Sequence, residues 1–485
     1  MGTIVRIALR NLTQHKVKTL IVGVLITLGI TLTFIGNSLF ESAARSVKKS
    51  FSENFTGDVM IQAKSEKKFS LFGYDEVAFG RNEDPTPVIQ KYDQVLAVVR
   101  ALPQLQSFTS QVAGYSFINL DPNGQAFSLL FGIEPDSYFH TFASIRILEG
   151  RMLRNGEVGL LMSRKRVDQI AKGDKTVFHV GDQVLLNSFS NRGPKIRSVP
   201  LVGIYEYVVP TPALEVVSFL DVQTMRALNA MTVGTKDQVK VDASTEGVFG
   251  ASDDEFFGTS TVTKGGASAQ VDLANVLGDK SVRNALQTID AGSWHNVLVR
   301  LKAGSDPRAV ISSLNAQFTA QDLPVKAVDW KSAAGTTARV TDAAQIIFNI
   351  MVVILAIVAV IIIVNTLVIS VMERTSEIGT MRALGAQKPF VRRLFVAETM
   401  LLAGFFGLVG IILGSVGVLV LRAANLPIEN DFLQILFGSA RLAPELSLGQ
   451  VILAAVYALF IGMVSWIYPV SIALKVSPLK AISTE

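Results

Sequence analysis

Residues 373–397 read ERTSEIGTMRALGAQKPFVRRLFVA, a charged, glycine-punctuated stretch between two of the most apolar segments of the chain. It holds two glutamates, five basic residues and a Gly-Ala pair, more chemistry than a plain chain reversal requires. Arg374 and Glu377 stand at i,i+3 and can pair on one helix face. Gly385 suits the position just past a helix C-terminus, and Pro389 suits the first turn of the helix that follows. The stretch therefore predicts a short helix from Glu377 to Leu384, presented to solvent, with Met381 and Leu384 available to fill a socket.

The flanks explain why a helix there would be noteworthy. With 485 residues, 49% hydrophobic and 18% charged, and a mean hydropathy of +0.40, the chain is too oily for an ordinary soluble protein of its size. Crossing about 30 Å of hydrocarbon takes roughly 20 helical residues. Four apolar runs meet that length, placed at 19–40, 343–372, 398–421 and 448–470. In hydrocarbon every backbone amide needs an internal partner, so these runs are expected to be helices. The first, TLIVGVLITLGITLTFIGNSLF, follows a basic stretch as a signal peptide would, but its apolar core is longer than such a peptide needs, so a retained span is expected.

The basic residues set the orientation. Arg6, Arg10, Lys16 and Lys18 precede the first run; Arg374, Arg382, Lys388, Arg392 and Arg393 lie between the second and third; Lys475 and Lys480 follow the fourth. The 422–447 loop balances Arg422 and Arg441 against Glu429, Asp431 and Glu445. Residues 1–18, the 373–397 loop and the 471–485 tail are thus expected in the cytoplasm, and 41–341 outside. The net charge of +5 is then a topology signal, and nucleic acid is not an expected partner. Residues 1–18 predict an amphipathic surface segment, with Leu9 and Leu12 in lipid and the cations at headgroups.

The large 41–341 segment reads as mixed α/β. QKYDQVLAVVRALPQ has helical periodicity and stops at Pro103, and the strand-like SFTSQVAGYSFINL and AFSLLFGI follow. GEVGLLMSRKRVDQIA reads as a strand entering a helix, FHVGDQVLLNSF and RSVPLVGIYEY as strands, and WHNVLVRL with PRAVISSLNAQF as a second strand-then-helix unit. Between about 232 and 280 the composition turns to Gly, Ser, Thr, Asp and Lys, which predicts a long mobile insertion. It is either a loop without a role or a flap contacting partner or substrate.

Catalytic patterns are missing from the sequence. There is no GxxxxGK[ST] for nucleotide phosphates, no HExxH and no GxSxG elbow, and cysteine is absent. No enzyme activity, metal or cofactor is expected in the chain itself.

Residue by residue, NTLVISVMERTSEIGTMRALGAQKPF resembles the coupling region of the FtsX/MacB-like ABC transporter permeases. The matching positions are Asn365, Thr366, Leu367, Glu373, Arg374, Glu377, Ile378, Gly379, Arg382, Ala383, Gly385 and Ala386, with Glu398 opening the third span. The resemblance continues in ALRNLTQHKVKTLIVGVLITLGI, in YPVSIALKVSPLKAI, and outside the membrane in EGRML, GEVGLLMS to VGDQVLL, VGIY and VDWK. It implies an α-helical membrane protein with four transmembrane helices and a large α/β periplasmic domain inserted between helices 1 and 2. It also implies that Glu377 to Leu384 form a coupling helix docked on a cytoplasmic ATPase subunit present in two copies, with Glu373, Arg374, Ile378, Gly379, Met381, Arg382, Ala383, Gly385 and Ala386 among the coupling residues. ATP and Mg2+ would sit on that ATPase, and a second permease, the same chain or a paralogue, would complete the complex. The segment LFGIEPDSYFHTFASIRILEGRML resembles lipoprotein-release (LolC/LolE-type) permeases, with Glu134 where Asp is usual. Lipoprotein release from the bacterial inner membrane is the expectation, with a periplasmic carrier or adaptor as a further partner. Peptide or drug export and activation of a periplasmic hydrolase are the alternatives. Gly407, Gly410, Gly414 and Gly417 share one helix face, open to packing within the chain or between subunits.

Overall fold

A computed structural model describes residues 2–14, 16–66, 69–74, 86–120, 124–174, 176–190, 193–208, 217–231 and 292–475. The polar insertion expected at 232–280 lies outside the described residues. Ser52–Val208 with Leu214–Gly335 form one compact unit, and the long helices before and after form the other.

In the helical unit, α1 (Gly2–Gln14) precedes α2 (Lys16–Phe51). Among the described residues, four helices are long and apolar enough to cross a membrane. Each of the first three outruns its apolar core. At 36 residues, α2 is about 54 Å long, well beyond a hydrocarbon layer. Its last turns stay helical because Ala43 and Val47, at i,i+4, are buried. Val47 lies against Gly438, where an added Cβ would come within 2.6 Å of it. Beyond the α/β unit in sequence, α9 (Thr336–Glu373) leads into the short α10 (Thr375–Ala383), and α11 (Lys388–Ala424) follows, then α12 (Asp431–Phe437). The fourth span is two helices, α13 (Leu448–Ser465) and α14 (Ile467–Lys475). Pro469 explains the break: it has no N–H for the Ser465 carbonyl four residues back, and its ring crowds that carbonyl.

The α/β unit is built on a 10-stranded sheet. Its strands are β1 (Val59–Ala63), β4 (Leu105–Leu120), β5 (Gly124–Ile133), β6 (Ile145–Gly150), β7 (Leu160–Ser163), β8 (Gln183–Ser190), β9 (Gly193–Tyr207), β10 (Ser218–Asp221), β11 (Asn296–Leu301) and β12 (Val325–Asp329); β2 (Phe69–Ser70) and β3 (Gly73–Tyr74) form a separate hairpin. The order is β12-β1-β11-β4-β5-β10-β7-β9-β6, and β8 pairs with both β4 and β9. That double pairing closes β4, β5, β10, β7, β9 and β8 into a hydrogen-bonded ring. The 16-residue β4 takes part in both halves: Leu105 to Gln111 pair with β11, and Gln111 to Leu120 with β5.

Each half has its own core. Val112, Leu130, Met162, Leu186, Leu201 and Leu220 fill the ring with Val167 and Ile170 of α5 (Arg164–Asp174) and Met225 of α6 (Val222–Leu228). Beside it, Val59, Ile61, Val297 and Val299 pack under α3 (Tyr92–Arg100) and α7 (Pro307–Ala320). β7 and β10 are buried at every position, the pattern of strands covered on both faces. The second cover is aromatic: Phe131 and Phe219 meet Phe55, Phe72, Tyr205 and Tyr138 of α4 (Pro135–Thr141). The unit ends with α8 (Trp330–Ala334), capped by Asp329, whose side chain accepts from the Ser332 amide. The resemblance motifs EGRML and VGIY meet on neighbouring strands, with Gly150 opposite Gly203 and Glu149 opposite Ile204.

Candidate functional site

The α10 helix ends as the Gly-Ala pair predicts. The Ala386 N–H donates to the Met381 carbonyl at 3.0 Å and the Gly385 N–H to Arg382 at 3.1 Å, with Gly385 at φ +98°. This is the two-bond Schellman closure, in which glycine takes the left-handed turn at no steric cost. Gln387 then caps α11, with Pro389 in its first turn.

The base of α10 is held by three helices. Ile378 is buried with Val371 of α9, Val391 and Phe395 of α11, and Val470 of α14. Arg374, at the N-cap of α10, is only 5% exposed and Glu398 of α11 only 7%. One guanidinium nitrogen of Arg374 donates to both Glu398 carboxylate oxygens, at 3.2 and 3.4 Å. The same guanidinium carbon lies 5.9 Å from the Phe395 ring centre. Glu398 is thus a partner of Arg374; the side chain of Glu377, at i,i+3, lies outside the described residues. Charge on a buried group demands a hydrogen-bonded counter-charge, and α11 supplies one that local helix spacing does not reveal.

The far end of α10 faces outward. Leu384 is 85% exposed and Ala383 and Gly385 are exposed too. Glu373 is exposed, Arg382 is half-buried, and Gly379 is buried beside Ile378. Met381, expected to be free for a socket, is instead partly buried against the Ile378 cluster; a helix this short turns one side to its own chain.

Gly407, Gly410, Gly414 and Gly417 of α11 pack inside the chain. An added Cβ would lie 2.9 Å from the Thr27 carbonyl and Ile30 at Gly410, 2.9 Å from Phe34 at Gly414, 2.8 Å from Ile35 at Gly417 and 2.5 Å from Ala458 at Gly407. Three of the four thus admit α2 and the fourth admits α13. Thr27 and Thr31 use the closeness to donate to the Phe406 and Gly410 carbonyls, each at 3.1 Å. Leu12 also departs from expectation: it packs on the helical core, while Val5 and Leu9 are exposed. Ala8 of α1 is fully buried and α1 lies along α11, so the helix has a protein face that pure amphipathicity does not separate from a lipid face.

One cluster was not anticipated. Gln450, 4% exposed, accepts from the Ser38 hydroxyl at 2.6 Å and donates to Glu41 at 2.6 Å. Glu41 pairs with Arg45 at 3.5 Å, and Arg45 with Glu445 at 3.6 Å. Its signal was legible: Ser447 and Gln450 form a capping box at the head of α13. Among the described residues no group of three or more His, Cys, Asp or Glu side chains could hold a metal ion.

Comparison with known proteins agrees with this architecture. Residues 19–317 match the MacB-like periplasmic core domain and residues 349–478 the FtsX-like permease C-terminal domain. The chain is 26% identical over 218 residues to the macrolide export ATP-binding/permease protein MacB of Bordetella avium, covering 44% of this chain and 29% of that one. It is 30% identical over 179 residues to the lipoprotein-releasing system transmembrane protein LolC of Haemophilus influenzae, covering 36% of this chain and 43% of that one. The match therefore spans under half the length of these relatives. The crystal structure of the periplasmic region of MacB from Actinobacillus actinomycetemcomitans aligns with 59% of this chain and 92% of that one, at 9% identity and a TM-score of 0.29. The chain belongs to the MacB/FtsX-like family of ABC transporter permeases, membrane proteins with a periplasmic-type α/β domain.

Proposed function

We propose that the chain is the permease subunit of an ABC transporter driven by a separate cytoplasmic ATPase, with α10 as the docking element. The observation that carries this is the contrast within α10: a base locked into the bundle by Ile378 and the Arg374–Glu398 pair, and a tip with Leu384 bare to solvent. An exposed leucine on an otherwise anchored helix end suits the helix-in-groove mode of docking, in which apolar side chains of a helix lie in a partner's groove. Two ATPase copies would carry ATP and Mg2+, and two permeases, identical or paralogous, would pair. The loop bearing α10 and the ends before α2 and after α14 would be cytoplasmic, with the α/β unit in the periplasm and the spans in the inner membrane.

The mode is mechanotransmission. The 38-residue α9 starts directly after Gly335, the last residue of the α/β unit, and ends two residues before α10. Unbroken helix is the stiffest link a chain offers between a cytoplasmic stroke and an external domain. Cargo is then handled outside the membrane. A lipoprotein released from the inner membrane is the cargo that the similarity to LolC supports; the similarity to MacB supports peptide or drug export as the second reading.

The test is an affinity pull-down from detergent-solubilised native membranes with mass spectrometry of what co-purifies. An ATPase, a second permease and lipidated proteins support lipoprotein release. An ATPase with this permease alone and a periplasmic adaptor supports export, and no ATPase at all contradicts the proposal.

A further inference from the structure

We propose that Arg374 and Glu398 are a positioning pair that makes α10 move as one body with α9 and α11. The inference rests on α10 being the ATPase-docking helix and adds what turns docking into transmitted motion.

The apolar contacts at the base of α10 are non-directional. Ile378 against Val371, Val391, Phe395 and Val470 resists separation but allows the short helix to rock or slide. A charge-assisted hydrogen bond is directional and fixes both angle and distance. Here it lies at the point where slack would matter most. Arg374 is the single residue between the end of α9 at Glu373 and the start of α10 at Thr375. Its backbone, at φ −98° and ψ 16°, leaves helical geometry there, so the α9–α10 joint is not itself a continuous helix. Glu398 stands in the third turn of α11, on a buried face with Phe395 and Thr399. The pair therefore ties the only non-helical link between α9 and α10 to the next span. A burial this complete makes the pair sensitive to loss of one partner and tolerant of joint replacement by apolar side chains. That asymmetry separates folding from coupling.

The experiment uses the complete chain purified with its ATPase. Hydrogen–deuterium exchange is compared with and without ATP and Mg2+, alongside ATPase co-purification and hydrolysis. The key variant is the double Arg374→Met, Glu398→Leu, which removes both charges of the pair. It is expected to retain the ATPase, its hydrolysis and the ATP-dependent change in exchange across residues 375–386. The ATP-dependent change at residues 336–345 and 41–51 should fall by about fivefold or more. The charge-swapped variant Arg374→Glu, Glu398→Arg restores the pair and should recover the response; it also serves should the apolar variant not accumulate. A folded double variant with the full response at 336–345 would overturn the inference, as would a folded swap variant without it. Failure of the wild-type chain to retain an ATPase would instead overturn the docking reading itself.

Discussion

The α/β unit and the helical unit both bury apolar side chains, but they differ in what they leave outside. In the first, Phe55, Phe131, Tyr138, Tyr205 and Phe219 are among the largest fully buried groups, as expected where water drives apolar surface inward. In the second, Ile347, Ile354, Ile361, Leu408, Ile412 and Phe460 are exposed, while Ser38, Arg374, Glu398, Gln450 and Ser465 are buried. Lipid tails are as apolar as leucine, so burial of leucine gives no drive to associate, and close approach and polar pairing take over. The same residue types thus carry opposite meanings in the two halves, and only the location of the spans tells the reader which rule applies.

The comparison can be broken at its strongest point first. Phe131→Ala should lower the stability of the α/β unit by about 3–5 kcal/mol, seen as a lower denaturation midpoint of the detergent-solubilised chain with helical-unit exchange unchanged. Equal loss of protection in both units would mean that they do not obey separate rules.

A pH experiment comes next. His295 is buried, its Nδ1 donating to the Ala113 carbonyl at 3.1 Å. Burial first, with the nearby Arg226 charge also opposing protonation, depresses its pKa from 6.5 to about 4, against the raising effect of the Ala113 bond. The unfolded chain takes up the proton near pH 6.5 and the folded chain only near 4. Stability is therefore whole above pH 6.5 and declines as pH falls from 6.5 to about 4, by roughly 3 kcal/mol. His295→Gln should flatten that decline in melting scans between pH 7.5 and 4.5; an unchanged slope would remove His295 as its source.

In the helical unit, Gly410→Leu forces a side chain into the Thr27 carbonyl and Ile30. A destabilisation of about 1–3 kcal/mol is expected, measured as a lower melting temperature in detergent; a neutral result would mean that α2 and α11 are not in close contact. Gly385→Ala meets nothing within 4 Å, so only the left-handed backbone opposes it, at about 1 kcal/mol. Faster exchange confined to 381–386 is the expected signature.

Much of the fold was legible. Alternating apolar runs marked β4, β5, β8 and β9, and uncharged length marked the four spans. The short strands β1, β6, β10 and β12 were missed; β1 and β10 are buried at every position, and runs such as SFLD offer no alternation to count. The length of α2 past Phe40 was missed as well: its last turns carry charge, and their helicity comes from Ala43 and Val47 meeting other parts of the bundle. Within the candidate site, Gly385 and Pro389 could be read locally because turn chemistry is local. Arg374 could not, since its partner Glu398 is 24 residues away on the next helix. Leu12 and Met381 show the same limit, for one sequence pattern cannot distinguish a face turned to lipid or partner from one turned to the chain's own helices.

The claim on which the rest depends is that the bare tip of α10 is a docking surface. Leu384→Asp is the direct test, with co-purification of the ATPase read against melting temperature. Leu384 is 85% exposed, so stability should change by under about 0.5 kcal/mol. Loss of an interface anchor of this kind should weaken retention by about tenfold or more. A variant that melts as the wild type and has lost its ATPase is the predicted result; one that retains the ATPase in full would contradict the account.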